Sequence, residues 1–234
     1  MSDGELRVDA LARLALLVPG DHDTTGVLLQ LMNTATDVLD VTGAAVTLIA
    51  DGRWQVAGAI PDVLVELEGV QQDSARGPGV EAVRSGRAVA VPDVRAHWMR
   101  WPEYTTVALR HGVSAVAQIP LRQGKEHVGA LGLFSRHPRE WSGEDLSMAT
   151  LLAGMAAGHL LTADTLRRQE RLAEQLQHAL SSRIVVEQAK GVIAGARSIT
   201  PEAAYELIRG HARQRRIGVH EVARAIVELG LRLS

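Results

Sequence analysis

Apolar residues recur along residues 23–39 at Val27, Leu28, Leu31, Met32, Ala35 and Leu39, the three-and-four spacing of a helix that buries one face. The period then shortens. Residues 44–50 (AAVTLIA) form a short β-branched and apolar run that predicts a strand, and the Asp51-Gly52 dipeptide ahead of residues 54–57 predicts a hairpin. The stretch GPGVEAVRSGRAVAVPDV, residues 77–94, predicts a Gly/Pro entry, a short helix over 80–84 stopped by Gly86, and a strand over 88–91 ended by Pro92. A helix over 103–111 closed by Gly112 follows, and then strands over 113–121 and 127–134 joined by a turn at Gly124. Together these predict an antiparallel sheet of about five strands flanked by helices.

The second half of the chain has only the helical period. Ser142-Gly143-Glu144-Asp145 is a helix start, with Ser142 placed to cap and the acids facing the positive end of the dipole. No proline intervenes before Pro201, so helix is expected from Asp145 to about Ala194 with one interruption. Within it Leu166, Ala173 and Leu180 fall seven apart and Leu176 takes the matching d position, while Gln169 and Arg183 occupy the others. A coiled-coil seam wants apolar a and d over three or four heptads and this offers barely two, a short stretch through which dimerisation is plausible. Thr200-Pro201-Glu202 starts another helix, with Thr200 as N-cap and Pro201 where its missing amide costs nothing. This helix runs to about Arg213 and should bury Ala204, Leu207, Ile208 and His211. A last helix, over 220–231, presents Val222, Ala223, Ile226, Val227 and Leu229.

Composition narrows the chemistry. Hydrophobic residues make up 46% and charged residues 22%, as in an ordinary globular protein, but aromatics are only 3%, so alanine and aliphatic side chains must build the core. The absence of cysteine excludes disulfides, zinc-thiolate and iron–sulfur sites, a cysteine nucleophile and a thioether-linked chromophore, and it suits a reducing cytoplasm. The N-terminal residues 1–20 have no basic run before their apolar patch and do not read as a signal peptide. Residues 146–163 are eighteen residues without a formal charge, with Gly154 and Gly158 at GxxxG spacing; they read as a buried helix rather than a membrane span. From Ser181 onward nine Lys/Arg face five Asp/Glu, so this end carries +4 and the preceding residues −6, which sums to the −2 of the whole. A partner-seeking basic surface therefore belongs at the C-terminal end.

The C-terminal stretch SRIVVEQAKGVIAGARSITPEAAYELIRGHARQRRIGVHEVARAIVELG resembles an ANTAR domain, the three-helix RNA-binding module of bacterial transcription antiterminators. The resemblance rests on Ala189-Lys190-Gly191, the A-x-x-L-I-R of Ala204 to Arg209, Ala212, and Val222-Ala223 followed by Ile226-Val227. Arg216, where the family usually has asparagine, and Ile217-Gly218, where it has basic residues, depart from the pattern. Upstream, GPGVEAVRSGRAVAVPDV, WPEY, HGVSAVAQIPL and HVGALGLFSRHPREWSGED follow one another as in a GAF domain. The two resemblances imply an α+β fold: a GAF-like antiparallel sheet flanked by helices, joined by a long helix to an all-α three-helix ANTAR-like domain. The expected divisions are an N-terminal segment 1–22, a sensory domain 23–163, a helical linker and coiled coil 164–180, and an RNA-binding domain 181–234.

If RNA is the partner, Arg183, Lys190, Arg209, Arg213, Arg215 and Arg216 supply the electrostatic attraction, and their guanidinium planes can stack on splayed bases. Arg209, Arg213 and Arg216 are spaced by four and three and should share a helix face, with Arg215 pointing elsewhere. Lys190, between two small residues, should present an open amine, and Tyr205 is placed either to stack or to be buried. In the sensory part Trp98, Trp101, Tyr104 and Arg110 surround a segment that could close over a small ligand, flat or anionic; the competing reading makes the tryptophans cover for the end of the sheet. The nine histidines are dispersed, with no HxH or HExxH pair, so no metal is expected, and no cofactor fingerprint stands out. The resemblance implies a cytoplasmic, non-enzymatic regulator that binds stem-loops in nascent transcripts as a homodimer, with an unknown small ligand or protein at the GAF part. Two alternatives stand beside it. One is a DNA-binding helix-turn-helix built from residues 204–213 and 220–229, although Arg224 is the only cation on its second helix before Arg232. The other is a GAF-linked signalling enzyme.

Overall fold

The structure, a computed structural model, describes Ala12, residues 24–50 and residues 52–233. Asp51 of the expected hairpin, and all of the segment 1–22 except Ala12, lie outside the described residues. The chain divides into two compact units, Met1–Leu166 and Arg167–Ser234.

The first unit is a five-stranded, wholly antiparallel sheet in the order β2-β1-β5-β4-β3. Helix α1 (Thr24–Leu39) leads into β1 (Gly43–Ala50) and β2 (Arg53–Ile60). Helices α2 (Leu64–Ser74) and α3 (Pro78–Ser85) precede the short edge strand β3 (Val89–Val91). A 3-10 turn (Val94–His97) and α4 (Pro102–Arg110) lead to the central hairpin β4 (Ala115–Gln123) and β5 (Glu126–Ser135). The period-2 alternation of a strand divides the core between the two sheet faces. Ala44 and Val46 of β1, Ala115, Ala117 and Ile119 of β4, and Leu131 and Leu133 of β5 pack with Leu28, Leu31 and Ala35 of α1 and with the start of the long helix. Ala45, Val116 and Phe134 face the other way, into Leu64 and Leu67 of α2 and Trp101, Tyr104 and Ala108 around α4.

The apolar stretch 146–163 lies within α5 (Gly143–Arg197), one helix of 55 residues without the expected interruption. By length and composition this helix could cross a membrane. Its small residues Ala149, Ala153, Ala156 and Ala157, with Leu152, are instead fully buried against the sheet. Its start is a reciprocal cap: Ser142 Oγ accepts from the Asp145 amide at 3.0 Å, and Asp145 Oδ2 accepts from the Ser142 amide at 3.1 Å.

The second unit packs the C-terminal part of α5 against α6 (Pro201–Arg215) and α7 (Val219–Leu229). Thr200 caps α6 through the Ala203 amide at 3.3 Å. The core is Ala189 and Ile193 of α5, Ala204, Ile208 and Ala212 of α6, and Val222, Ala223 and Ile226 of α7. Leu207, expected inside, is 37% exposed, and His211 is half-buried, because Ala204, Ile208 and Ala212 define a narrower inward stripe. Leu229 is 82% exposed at the end of α7, where Gly230 turns the chain away in a left-handed conformation.

Candidate functional site

The six basic candidates of the second unit are distributed over α5, α6 and the residue that ends α6. Arg183, Arg209, Arg213, Arg215 and Arg216 are exposed. Arg216 is not on the helical face predicted for it. It is the C-cap of α6 with φ 57° and ψ 38°, a left-handed residue, so the four-and-three spacing from Arg209 stops applying at Arg213. Lys190 does not offer an open amine either. Its Nζ donates to Glu187 at 2.9 Å and lies 5.9 Å from the centre of the half-buried Tyr205 ring, leaving the side chain 17% exposed.

Carboxylates consume part of this charge. Glu206 pairs with Arg209 at 3.5 Å and more loosely with Arg213 at 4.0 Å, and Glu187 takes Lys190. Arg183, Arg215 and Arg216 have no ion pair among the described residues. The six cations thus meet two carboxylates, and four positive charges remain uncompensated. Exposed pairs of this kind contribute about 0–1 kcal/mol, so a phosphate can displace the carboxylate at little cost.

The aromatic candidates of the first unit separate into two sets. Trp101 and Tyr104 are buried, at 5% and 2% exposure, whereas Trp98 is 47% exposed. Glu81 of α3 holds the approach to α4: Arg100 Nε donates to it at 3.1 Å and the Trp101 indole at 3.2 Å, while the Arg100 guanidinium lies over the Trp101 ring at 4.8 Å and His97 stacks on that ring at 5.5 Å. A pocket of about 80 Å³ lies here, bordered by Arg76, Arg100, Trp101 and Tyr104 among others. The cations bordering it are Arg76 and Arg100. Arg110, the expected one, points to the far end of α4, where it pairs with Glu66 of α2 beside His111.

Sequence reasoning passed over α2 entirely, and α2 carries the most unusual group in the molecule. Glu68 is 2% exposed and has no cationic partner among the described residues. Thr47 Oγ1 of β1 and Gln71 Nε2 donate to its Oε2 at 3.1 and 2.8 Å, and Gln118 Nε2 of β4 donates to its Oε1 at 2.8 Å. Burial raises its carboxyl from 4.5 to about 7, against the lowering effect of those three bonds. Burial, and then the Glu68 charge, push the Tyr104 hydroxyl well above its usual value. The Gln118 amide nearby offsets part of that rise, yet neither Tyr104 Oη nor Gln118 Oε1 meets a partner in hydrogen-bond geometry.

The GPG of residues 77–79 belongs to this cluster. Gln71 Oε1 accepts from the Gly79 amide at 2.7 Å, and a Cβ on Gly77, whose φ is 153°, would lie 2.3 Å from the same oxygen. The glycines are there so that a buried amide can lie against the start of α3. A signal for the cluster was present: Leu64, Leu67, Glu68 and Gln71 share the inward stripe of one helix, and an acid and an amide hold two of its four places.

A GAF domain model matches residues 21–160 and an ANTAR domain model matches residues 174–227. No match to a curated protein was found. Among solved structures, the chain is similar to a free methionine-R-sulfoxide reductase from Neisseria meningitidis in complex with its substrate: 17% identity, TM-score 0.54, covering 71% of this chain and 95% of that one. It is similar also to the GAF domain of a phosphoenolpyruvate-protein phosphotransferase from Acinetobacter, at 14% identity and TM-score 0.53, covering 70% and 97%. A GAF sensor protein from Burkholderia vietnamiensis gives 18% identity and TM-score 0.53, covering 70% and 99%. At these identities the likeness concerns the fold alone. The chain belongs to the GAF domain family and carries an ANTAR domain behind its GAF domain, the pairing of a regulatory sensor module with an RNA-binding one.

Proposed function

We propose that the protein is a cytoplasmic, homodimeric transcription antitermination regulator whose GAF domain controls an ANTAR domain that binds stem-loops in nascent transcripts. The observation that carries this reading is the uncompensated charge of the ANTAR domain, where among the described residues Arg183, Arg215 and Arg216 have no ion pair and the remaining candidates are held only by surface pairs. Binding would displace counterions from the RNA and hold the hairpin where it competes with a terminator. Two hairpins call for two RNA-binding domains, and α5 offers a seam for pairing them: Leu172, Leu176, Leu180 and Ile184 are all about half exposed or more, an apolar row spaced by four.

Control would come from any effector that binds two arrangements of the dimer with different affinity. The pocket beside Trp101 and Arg100 is the place in the GAF domain for a small anionic or planar ligand, and its present volume of about 80 Å³ admits only a small one. GAF and ANTAR domains are regulatory rather than catalytic. The DNA-binding alternative is the weaker reading because α7, the helix that would enter the major groove, carries the single arginine Arg224 against the two acids Glu221 and Glu228.

Crosslinking the protein to RNA in cells, followed by gel shifts of the recovered hairpins against duplex DNA at matched salt, tests the proposal. Preference for hairpin RNA and relief of termination in transcription assays are expected. Equal or tighter binding to duplex DNA would overturn it.

A further inference from the structure

A second polar pocket lies within the three-helix unit, formed by His178, Ser181, Ser182 and Val185 of α5 with His220 and Arg224 of α7. Its volume is about 40 Å³, room for a few waters or one phosphoryl group. Residues 178, 181, 182 and 185 are spaced by three and four and form one face of α5. Lys190, twelve residues beyond His178, projects about 120° around the helix from it, so this pocket and Lys190 occupy different flanks of the domain.

Apart from Arg224, which Glu228 reaches loosely at 3.8 Å, the donors around the pocket are not engaged elsewhere among the described residues. Ser147, Thr150, Thr162 and Thr165 of the same helix each turn their hydroxyl back onto the carbonyl four residues before, at 2.6–2.8 Å. Ser181 and Ser182 do not; among the described residues their hydroxyls have no hydrogen-bond partner. The imidazoles of His178 and His220 also make no hydrogen bond there, and they meet only each other, edge to face at 6.3 Å. No carboxylate lines the pocket. The acids nearest in the chain are Glu221, which holds the Gly218 amide at 2.9 Å, Glu187, which takes Lys190 at 2.9 Å, Glu174, four residues before His178, and Glu228, which reaches Arg224 loosely at 3.8 Å. The backbone is adapted to the His220 ring: a Cβ on Gly218 would lie 2.8 Å from two of its atoms.

Two hydroxyls, two imidazoles and a guanidinium converging on one small opening, with no acceptor opposed to them, form an anion receptor that can wrap a tetrahedral oxyanion from several sides. We propose that the His178–Ser181–Ser182–His220–Arg224 pocket is a binding site for a phosphate group, a second anchoring point of the ANTAR domain on a flank remote from Lys190. The group is either a backbone phosphate of RNA, in which case the proposal rests on the RNA-binding reading above, or a free phosphate compound. Phosphate contacts position a nucleic acid without reading its sequence, so any hairpin serves as a probe.

The full-length protein, labelled in its histidines, would be titrated with potassium phosphate and, at matched ionic strength, with potassium chloride, following the His178 and His220 ring resonances by NMR. Saturable movement with phosphate alone is expected, and Arg224→Ala or the Ser181→Ala/Ser182→Ala pair should abolish it. Gly218→Ala, which displaces the His220 ring without removing a donor, should weaken it. In the second arm, the salt dependence of binding to a hairpin RNA of arbitrary sequence is compared for the native protein and Arg224→Ala. A slope reduced by about one, with phosphate competing against the hairpin, assigns the site to the RNA backbone. Saturable phosphate binding with an unchanged slope, or with no RNA binding at all, still supports the site and assigns it to a free phosphate compound, although the second of these results defeats the RNA-binding reading. Ring resonances that respond no more to phosphate than to chloride overturn the proposal, whatever the RNA does.

Discussion

Replacing Glu68 by glutamine should make the sensory domain more stable at pH 8 and leave it nearly unchanged at pH 4.5. In the native domain the carboxyl titrates at about 7 instead of 4.5, because burial penalises its ionised form more than three neutral donors favour it. Below pH 4.5 the group is protonated in both states and costs nothing. Between 4.5 and 7 the unfolded chain ionises while the folded one stays protonated, so stability falls as pH rises. Above 7 the whole penalty is present, about 3 kcal/mol at roughly 1.4 kcal/mol for each tenfold difference in proton affinity. A glutamine keeps the shape. Its oxygen can accept from Thr47 and Gln71, and its amide can donate to Gln118 once that side chain turns its unpartnered Oε1 inward. Tryptophan fluorescence isolates the measurement, because Trp54, Trp98, Trp101 and Trp141 all lie in the first compact unit. Urea unfolding followed this way at pH 5 and pH 8 should show the native domain weakening with pH and Glu68→Gln holding level, with a gain approaching about 3 kcal/mol at pH 8. If the native midpoint does not move with pH, or Glu68→Gln loses stability equally at both values, the carboxyl is not held in the way described.

Gly77→Ala should destabilise the same domain by roughly 1–3 kcal/mol, since the new methyl would meet Gln71 at 2.3 Å on a backbone that side chains rarely adopt; the same fluorescence assay measures it. Charge reversal of Lys190 together with Arg209 should weaken hairpin RNA binding and lower the slope of log affinity against log salt by about two, read by fluorescence anisotropy; unchanged affinity would remove both residues from the interface. Leu176→Glu with Leu180→Glu should convert a dimer to a monomer in sedimentation equilibrium with the helical circular dichroism of the isolated subunits retained, because both side chains are more than 60% exposed within the chain.

The elements of this protein were legible in its sequence wherever one local rule acted alone. The stride of Leu28, Leu31 and Ala35, the caps at Ser142 and Thr200, and the stop at Gly86 each depend on neighbours within a turn, and each stands in the structure as expected. Periodicity was weaker at α2, where the moment of a helix that buries Glu68 and Gln71 beside leucines is low, and that helix went unpredicted. It misled at Arg216, because a helical spacing holds only while the backbone stays helical.

The family relationship and the basic character of the C-terminal end were properties of the sequence by itself, since both are read from residue identity and order. Tertiary structure decided how far the Lys190 charge is covered. The Glu187–Lys190 and Glu206–Arg209 pairs follow from three-residue spacing within single helices, whereas the Lys190 amine lies beside Tyr205 only because the next helix packs there. It decided the chemistry of the interior as well: Glu68 and Gln118 are 50 residues apart in the chain, and the carboxyl is raised only because the sheet and three helices exclude water around both. Desolvation belongs to an enclosed volume, and no stretch of sequence encloses one alone.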